Sequence, residues 1–182
     1  MALFEPIVQW LLYQEDDKRH PGKIVNLGDG AGSTRLGITS KNYGDILPAE
    51  FWTDMPFSQA VPMAKKTYKS YFWNRFLGDQ IESDVIAAMI LSFNVNTPPG
   101  VAVKHLQSNV LGMHDDGVLG PNTLAELNSK DPKMVERLYR AEWIGYYKHL
   151  VDVNPAESRF LDGWINRANF PYPSSQVPDI YV

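Results

Sequence analysis

The 182-residue chain contains no cysteine, which excludes disulfide cross-links, cysteine-ligated zinc, iron–sulfur clusters and thiol nucleophiles. It has no uncharged apolar run approaching the ~18 residues of a membrane span, so no stable membrane insertion is expected. Positive charge is not in surplus either. Lys and Arg number 17 against 21 Asp and Glu, a net charge of −4, whereas a general nucleic-acid binder is normally basic. The histidines His20, His105, His114 and His149 form neither HExxH nor an i, i+4 pair, so no metal site is expected. GxSxG, GxGxxG and the GKS or GKT of a phosphate loop are all absent, and with them the serine-nucleophile and nucleotide readings. No cofactor is implied. The N-terminal apolar stretch is interrupted by Glu5 and Pro6, follows no Lys or Arg and precedes no small-residue cleavage site. It reads as an amphipathic helix rather than a signal peptide, which predicts accumulation in the cytoplasm unless another route exports the protein.

What is present is an ordinary globular composition. At 44% hydrophobic and 21% charged residues, the chain is too apolar to be disordered and long enough to bury a core. In residues 2–15, Phe4, Ile7, Val8, Leu11 and Leu12 recur at three and four, predicting a helix with one apolar face. Residues 16–33 are charged and Gly-rich, with extended pieces at Ile24–Asn26 and Leu36–Thr39 that are expected to pair as a small ribbon. From Ala60, a stripe of Ala64, Tyr68, Tyr71, Phe72 and Phe76 predicts a helix ended by Gly78. Residues 82–95 are apolar nearly all round, which predicts a central helix buried on most sides. Pro99, Pro121, Pro132 and Pro155 each stand where a further helix would open. The helix after Pro132 is expected to pack through Val135, Leu138, Tyr139, Glu142, Tyr146 and Leu150, and the last one through Phe160, Leu161, Trp164 and Ala168. The pattern is mainly α, with about six to eight helices and one small β element.

Two features point to chemistry. Glu15 falls three residues after Leu12 and four after Leu11, on the apolar face at the C-terminal end of the first helix. Burial and a negative helix end both favour a protonated carboxyl, which is what a general acid needs. The alternative is a helix-terminal Glu turned to solvent. Downstream, the glycine-rich stretch from Gly28 to Thr39 places Asp29 in a turn, with Thr34 beyond it. It reads either as a hairpin turn or as one wall of a cleft in which Asp29 faces Glu15. Paired carboxyls of inverting glycosidases stand roughly 6.5–9.5 Å apart, leaving room for a water that a threonine hydroxyl can hold.

The order of these and later motifs resembles glycoside hydrolase family 108, lysozyme-like muramidases with a C-terminal predicted peptidoglycan domain. The resemblance runs over nearly the whole chain, through Tyr13-Gln14-Glu15, Asp29, Gly32, Thr34 and Gly37-Ile38-Thr39. It continues through Tyr68 to Trp73, Val95-Asn96, Ala102, Leu106-Gln107, Asp116 to Thr123, and Gly163-Trp164-Ile165-Asn166-Arg167. Asp16 and Asp17 stand where the family has two glycines, the loop to Asp29 is longer, and Ser92 replaces an Asp. Asp16 and Asp17 therefore remain alternatives to Asp29 as the second carboxylate.

The resemblance implies a mainly α, lysozyme-like α+β fold in one domain over residues 1–182. A catalytic lobe (1–95) holds Glu15 and a small β-hairpin, and a helical peptidoglycan-binding-like lobe follows (96–182). It implies cleavage of the β-1,4 bond between N-acetylmuramic acid and N-acetylglucosamine, with Glu15 as general acid and Asp29 and Thr34 positioning water. Asn96, Gln107 and Trp52 are the expected substrate contacts, bacterial peptidoglycan is the partner, and a monomer is the default. With no signal peptide read, the expected setting is a phage endolysin that stays in the host cytoplasm until holin pores release it to the wall, with a tail-borne lysin or a secreted antibacterial effector as the alternatives. A lytic transglycosylase and a non-catalytic wall-binding protein on the same fold are the alternatives.

Overall fold

The computed structural model describes residues 1–26, 28, 30, 32–173 and 177–181; Asp29 lies outside them. Helix α1 (Phe4–Glu15) buries Ile7, Val8, Trp10, Leu11 and Leu12. Its partner is α4 (Asp84–Val95), which buries every residue from Ile86 to Phe93. A helix apolar on all sides can only sit at a centre, and α4 touches α1, α5 (Val101–His105) and α7 (Pro132–Val153). Its start is set by Ser83, whose hydroxyl accepts from the Ile86 amide. Helix α5 continues as one wide turn, Leu106–Leu111, so the expected helix up to Leu111 is present with a π-type end. Helix α6 (Pro121–Asn128) and α7 both open on a proline, and α7 also has Asp131 as a cap accepting from the Lys133 amide. Helix α8 (Ser158–Asn169) follows a short 3₁₀ turn.

The core is aromatic at its middle. Phe93 of α4 stacks on Trp143 with ring centres 5.0 Å apart, and Tyr139, Tyr146 and Tyr147 surround it. The buried face of α7 is Val135, Tyr139, Trp143 and Tyr147. Of the expected face, Val135 and Tyr139 are buried and Leu138, Tyr146 and Leu150 pack half-buried against the core, while Trp143 and Tyr147, outside that stripe, take the deepest positions. On α8 only Ala168 is buried, while Phe160 is 43% exposed.

The sheet also differs from expectation. It has three antiparallel strands, β1 (Val25–Asn26), β2 (Ser33–Arg35) and β3 (Ile38–Thr39), in that order. Val25 pairs with Thr34, and Thr34 with Thr39. The two expected pieces do not pair with each other, because Ser33–Arg35 lies between them. Leu36 belongs to the turn: Leu36 and Gly37 both have positive φ, 51° and 75°, as the tightest hairpin turns require. A leucine in that conformation needs outside support. It is 1% exposed, and the Tyr68 hydroxyl donates to its carbonyl at 2.9 Å. Tyr68 comes from α3 (Phe57–Tyr71), which stops at Phe72 rather than running on towards Gly78; a 3₁₀ turn, Trp73–Phe76, follows. Arg35, 5% exposed, ties the sheet to its surroundings by donating to the carbonyls of Gly22, Phe51 and Met55.

Candidate active site

Glu15 is the last residue of α1, and its side chain is 11% exposed. The apolar periodicity that buries Leu11 and Leu12 carries Glu15 inward with them. Its Oε1 accepts from Nη1 of Arg167, which comes from α8. Burial works against the Arg167 charge, but the facing Glu15 carboxylate outweighs it and holds the guanidinium above its ordinary pKa. The same carboxylate adds to the burial that pushes the Tyr68 hydroxyl far up. Tyr147 is likewise raised, by burial first.

Several contacts deliver Arg167 to this place. Trp10 of α1 stacks on Phe170 with centres 5.9 Å apart, and its indole N–H donates to the Pro171 carbonyl at 2.8 Å. Gln14 donates to the Arg167 carbonyl at 3.4 Å and accepts from the Ser92 hydroxyl at 2.9 Å. Ser92, fully buried on α4, thus acts on the site through Gln14.

Gly37 closes the other side. A Cβ there would stand 2.8 Å from Cβ and Cγ of Glu15 and 2.5 Å from the Tyr68 hydroxyl oxygen. Gly37 and Tyr68 also line a cleft of about 540 Å³ that runs from Gly37–Thr39 past Tyr43, Tyr71 and Arg75 to Asn94, Val95 and Thr97 and to Gly117–Leu119. The Glu15 stem, Cβ and Cγ, therefore packs against Gly37 at one end of this cleft, although Glu15 itself does not line it. Thr39 lines it too, and its buried hydroxyl finds no hydrogen-bond partner among the described residues. Thr34 is half-buried on β2 directly opposite Thr39, and residues paired across a ladder share a face of the sheet.

The other expected site residues are placed differently. Asn96 donates to the hydroxyl of Tyr147 at 2.8 Å, the tyrosine that feels the charges of Arg167 and Glu15, and does not line the cleft. Gln107 is 1% exposed and donates to Asp116, Val118 and Thr123 while accepting from the Gly117 amide. It shapes the Asp116–Leu119 turn, whose Gly117, Val118 and Leu119 form a cleft wall, and does not reach the cleft itself. The Gln107 and Val118 hydrogen bonds hold the Asp116 carboxyl below its ordinary pKa. Trp52 is 6% exposed, its indole N–H donating to the Ile38 carbonyl at 2.9 Å. Packed against Phe51 in the core, it supports β3 rather than lining the cleft.

Asp16 is 8% exposed and accepts from the Asp17 and Gly22 amides and the Tyr181 hydroxyl. Burial nonetheless pushes its carboxyl above the usual value. Asp17 accepts from the Arg19 amide, which holds its carboxyl low, and faces His20 and Lys23. Among the described residues no group of three or more acidic or His side chains is arranged to hold a metal ion. Arg167 and Tyr68 carried no assigned role in the sequence reading. The motif that includes Arg167 was visible, but nothing local ties it to a residue 152 positions away.

Residues 18–98 match the Glycosyl hydrolase 108 family model, and residues 101–169 match the Predicted Peptidoglycan domain. The first match begins just after Glu15 and the second includes Arg167. No curated protein matches the chain in sequence. The solved structure of Brucella abortus SagA is 25% identical, with a TM-score of 0.70 over 91% of this chain and 88% of that one. With a lysozyme-like arrangement of helices around a small sheet, the chain matches the glycosyl hydrolase 108 family model over residues 18–98 and the predicted peptidoglycan domain over residues 101–169, a pairing in this order that supports a peptidoglycan hydrolase.

Proposed function

We propose that the protein is an N-acetylmuramidase that hydrolyses the β-1,4 bond from N-acetylmuramic acid to N-acetylglucosamine, with Glu15 as general acid. The observation that carries this reading is the nearly buried Glu15 side chain, its carboxyl paired with Arg167 and its stem packed against Gly37 at one end of the cleft. Glu15 gives its proton to the glycosidic oxygen as that oxygen leaves the anomeric carbon. Positive charge then develops on the sugar ring. A water adds to the anomeric carbon and passes its proton to a second carboxylate. Asp29 is that carboxylate in this reading, and Thr34 holds the water with its hydroxyl. Two facts support the choice. Thr34 shares a sheet face with the cleft-lining Thr39, and Asp16 and Asp17 are already engaged in local hydrogen bonds.

The cellular role proposed with this chemistry is lysis of a bacterial host by a phage-borne enzyme, since cutting the glycan removes the layer that resists turgor. The test is mass analysis of fragments released from purified sacculi. Reducing N-acetylmuramic acid ends are expected. Anhydro ends would mean a transglycosylase with no attacking water, and binding without release would mean a non-catalytic wall protein.

Gly37→Ala offers a second check on the geometry. At φ +75° an added methyl group meets both Glu15 and Tyr68, so the carboxyl must move. A shift of about 1 Å is expected to lower turnover ~100-fold. The comparison is the rate of reducing-end release at equal folded fraction, and an unchanged rate would detach Gly37 from the site.

A further inference from the structure

Among the described residues that line the cleft, Arg75 is the one side chain with a formal charge. Its neighbours there are neutral: Tyr43, Tyr71 and Asn42 on one side, Asn94 and Thr97 on the other. Arg75 is in none of the ion pairs among the described residues, although the chain as a whole carries four more negative than positive charges. It is also braced. Its guanidinium carbon stands 5.9 Å from the centre of the Tyr71 ring, and Tyr71 in turn meets Tyr43 edge-on at 5.8 Å. A cation held against an aromatic face on a neutral wall is a carboxylate receptor, because a guanidinium offers parallel N–H donors that match a carboxylate's two oxygens.

We propose that Arg75 is a specificity-determining residue that binds a carboxylate of the glycan's muramic acid branch and so selects anionic peptidoglycan over neutral N-acetylated glycan. This rests on the muramidase reading above for the identity of the substrate. The carboxylate has two sources of the same chemistry: the lactyl group of a muramic acid without peptide, or an acidic residue of the attached peptide. The unpartnered Thr39 hydroxyl and the Asn42 and Asn94 amides complete the subsite as donors and acceptors for acetamido groups.

The experiment compares the full-length protein with Arg75→Ala and Arg75→Lys on two soluble glycans, one bearing peptides and one stripped of them. Each is used as prepared and after its carboxylates have been converted to neutral amides. Arg75 is exposed on a 3₁₀ turn, so both variants are expected to fold. Arg75→Ala is expected to lower kcat/KM about tenfold through KM on a carboxylate-bearing glycan and less than twofold on its neutralised form. Neutralisation should cost the wild type the same factor, and Arg75→Lys should recover part of it. The glycan on which this dependence appears identifies the carboxylate. Equal losses on native and neutralised glycan, or no loss on either, would overturn the proposal. Affinity for the same four glycans is measured by calorimetry in parallel. If no reducing ends are released at all, the muramidase reading fails while the affinities still decide the role of Arg75.

Discussion

Glu15→Gln is expected to cut the release of reducing ends from sacculi by about 10²–10⁴-fold, the range typical of losing a general acid. The amide cannot supply the proton that the leaving oxygen needs. It does keep the shape of the side chain and an oxygen for the Arg167 guanidinium, so the fold should survive. What disappears is the charge that compensates a nearly buried cation. Arg167 is 17% exposed at its side chain, and weakening its hydrogen bond to a charged partner costs about 1–3 kcal/mol. Circular dichroism and urea unfolding separate the two effects. A variant that is folded and as active as wild type would remove Glu15 from the mechanism. A variant that is unfolded would be replaced by Glu15→Asp, which keeps the charge and shortens the reach of the acid.

The second large effect belongs to Arg167. Arg167→Met leaves the Glu15 carboxylate nearly buried without its cation, and breaking such a pair from one side costs about 3–5 kcal/mol. Turnover is expected to fall as well, because the guanidinium fixes which way the carboxyl points. The informative variant is the double substitution Glu15→Gln with Arg167→Met. With both charges gone there is no unpaired ion to bury, so most of the lost stability should return. Urea unfolding of the four proteins gives the coupling directly. If the two single effects simply add, the pair is screened by solvent and Arg167 is not what holds Glu15. Arg167→Lys keeps the charge but loses the planar fork, and is expected to hold more stability than activity.

Both results bear on how the two matched segments of the chain cooperate. The glycosyl hydrolase 108 match covers the sheet and Gly37, while Arg167 lies within the predicted peptidoglycan domain. Helix α8 is fastened to the helix that ends in Glu15 by Trp10 on Phe170 and Gln14 on the Arg167 carbonyl. In this arrangement the second segment supplies a side chain to the site that the first one frames.

Elements whose signal is local could be read along the chain. The three-and-four spacing from Phe4 to Leu12 places Glu15 on the inward face, and the structure shows it there at the end of α1. The all-round apolar run of α4 could only be a central helix, and the prolines at 121 and 132 mark helix starts because their missing N–H costs nothing in a first turn. The strands were harder. At two or three residues each they carry no periodicity, so their order and the Leu36–Gly37 turn follow from what surrounds them, chiefly the Tyr68 hydroxyl on the Leu36 carbonyl and the Arg35 donors. How deeply each side of α7 is buried is open for a similar reason: adjacent stripes have the right spacing, and the stack of Trp143 on Phe93 turns the helix so that Trp143 and Tyr147 lie deeper than Leu138 and Tyr146.

Glu15 and its position on a helix are thus written in one short segment, because helical periodicity acts over neighbours three and four residues apart. The partner of Glu15, the glycine against its stem and the cation on the cleft wall come from other segments. No local rule links positions 15, 37, 75 and 167. Glu15 meets Arg167 and Gly37, and Arg75 shares the cleft wall with Gly37, only through tertiary packing such as that of α1 against α4 and of α8 against α7.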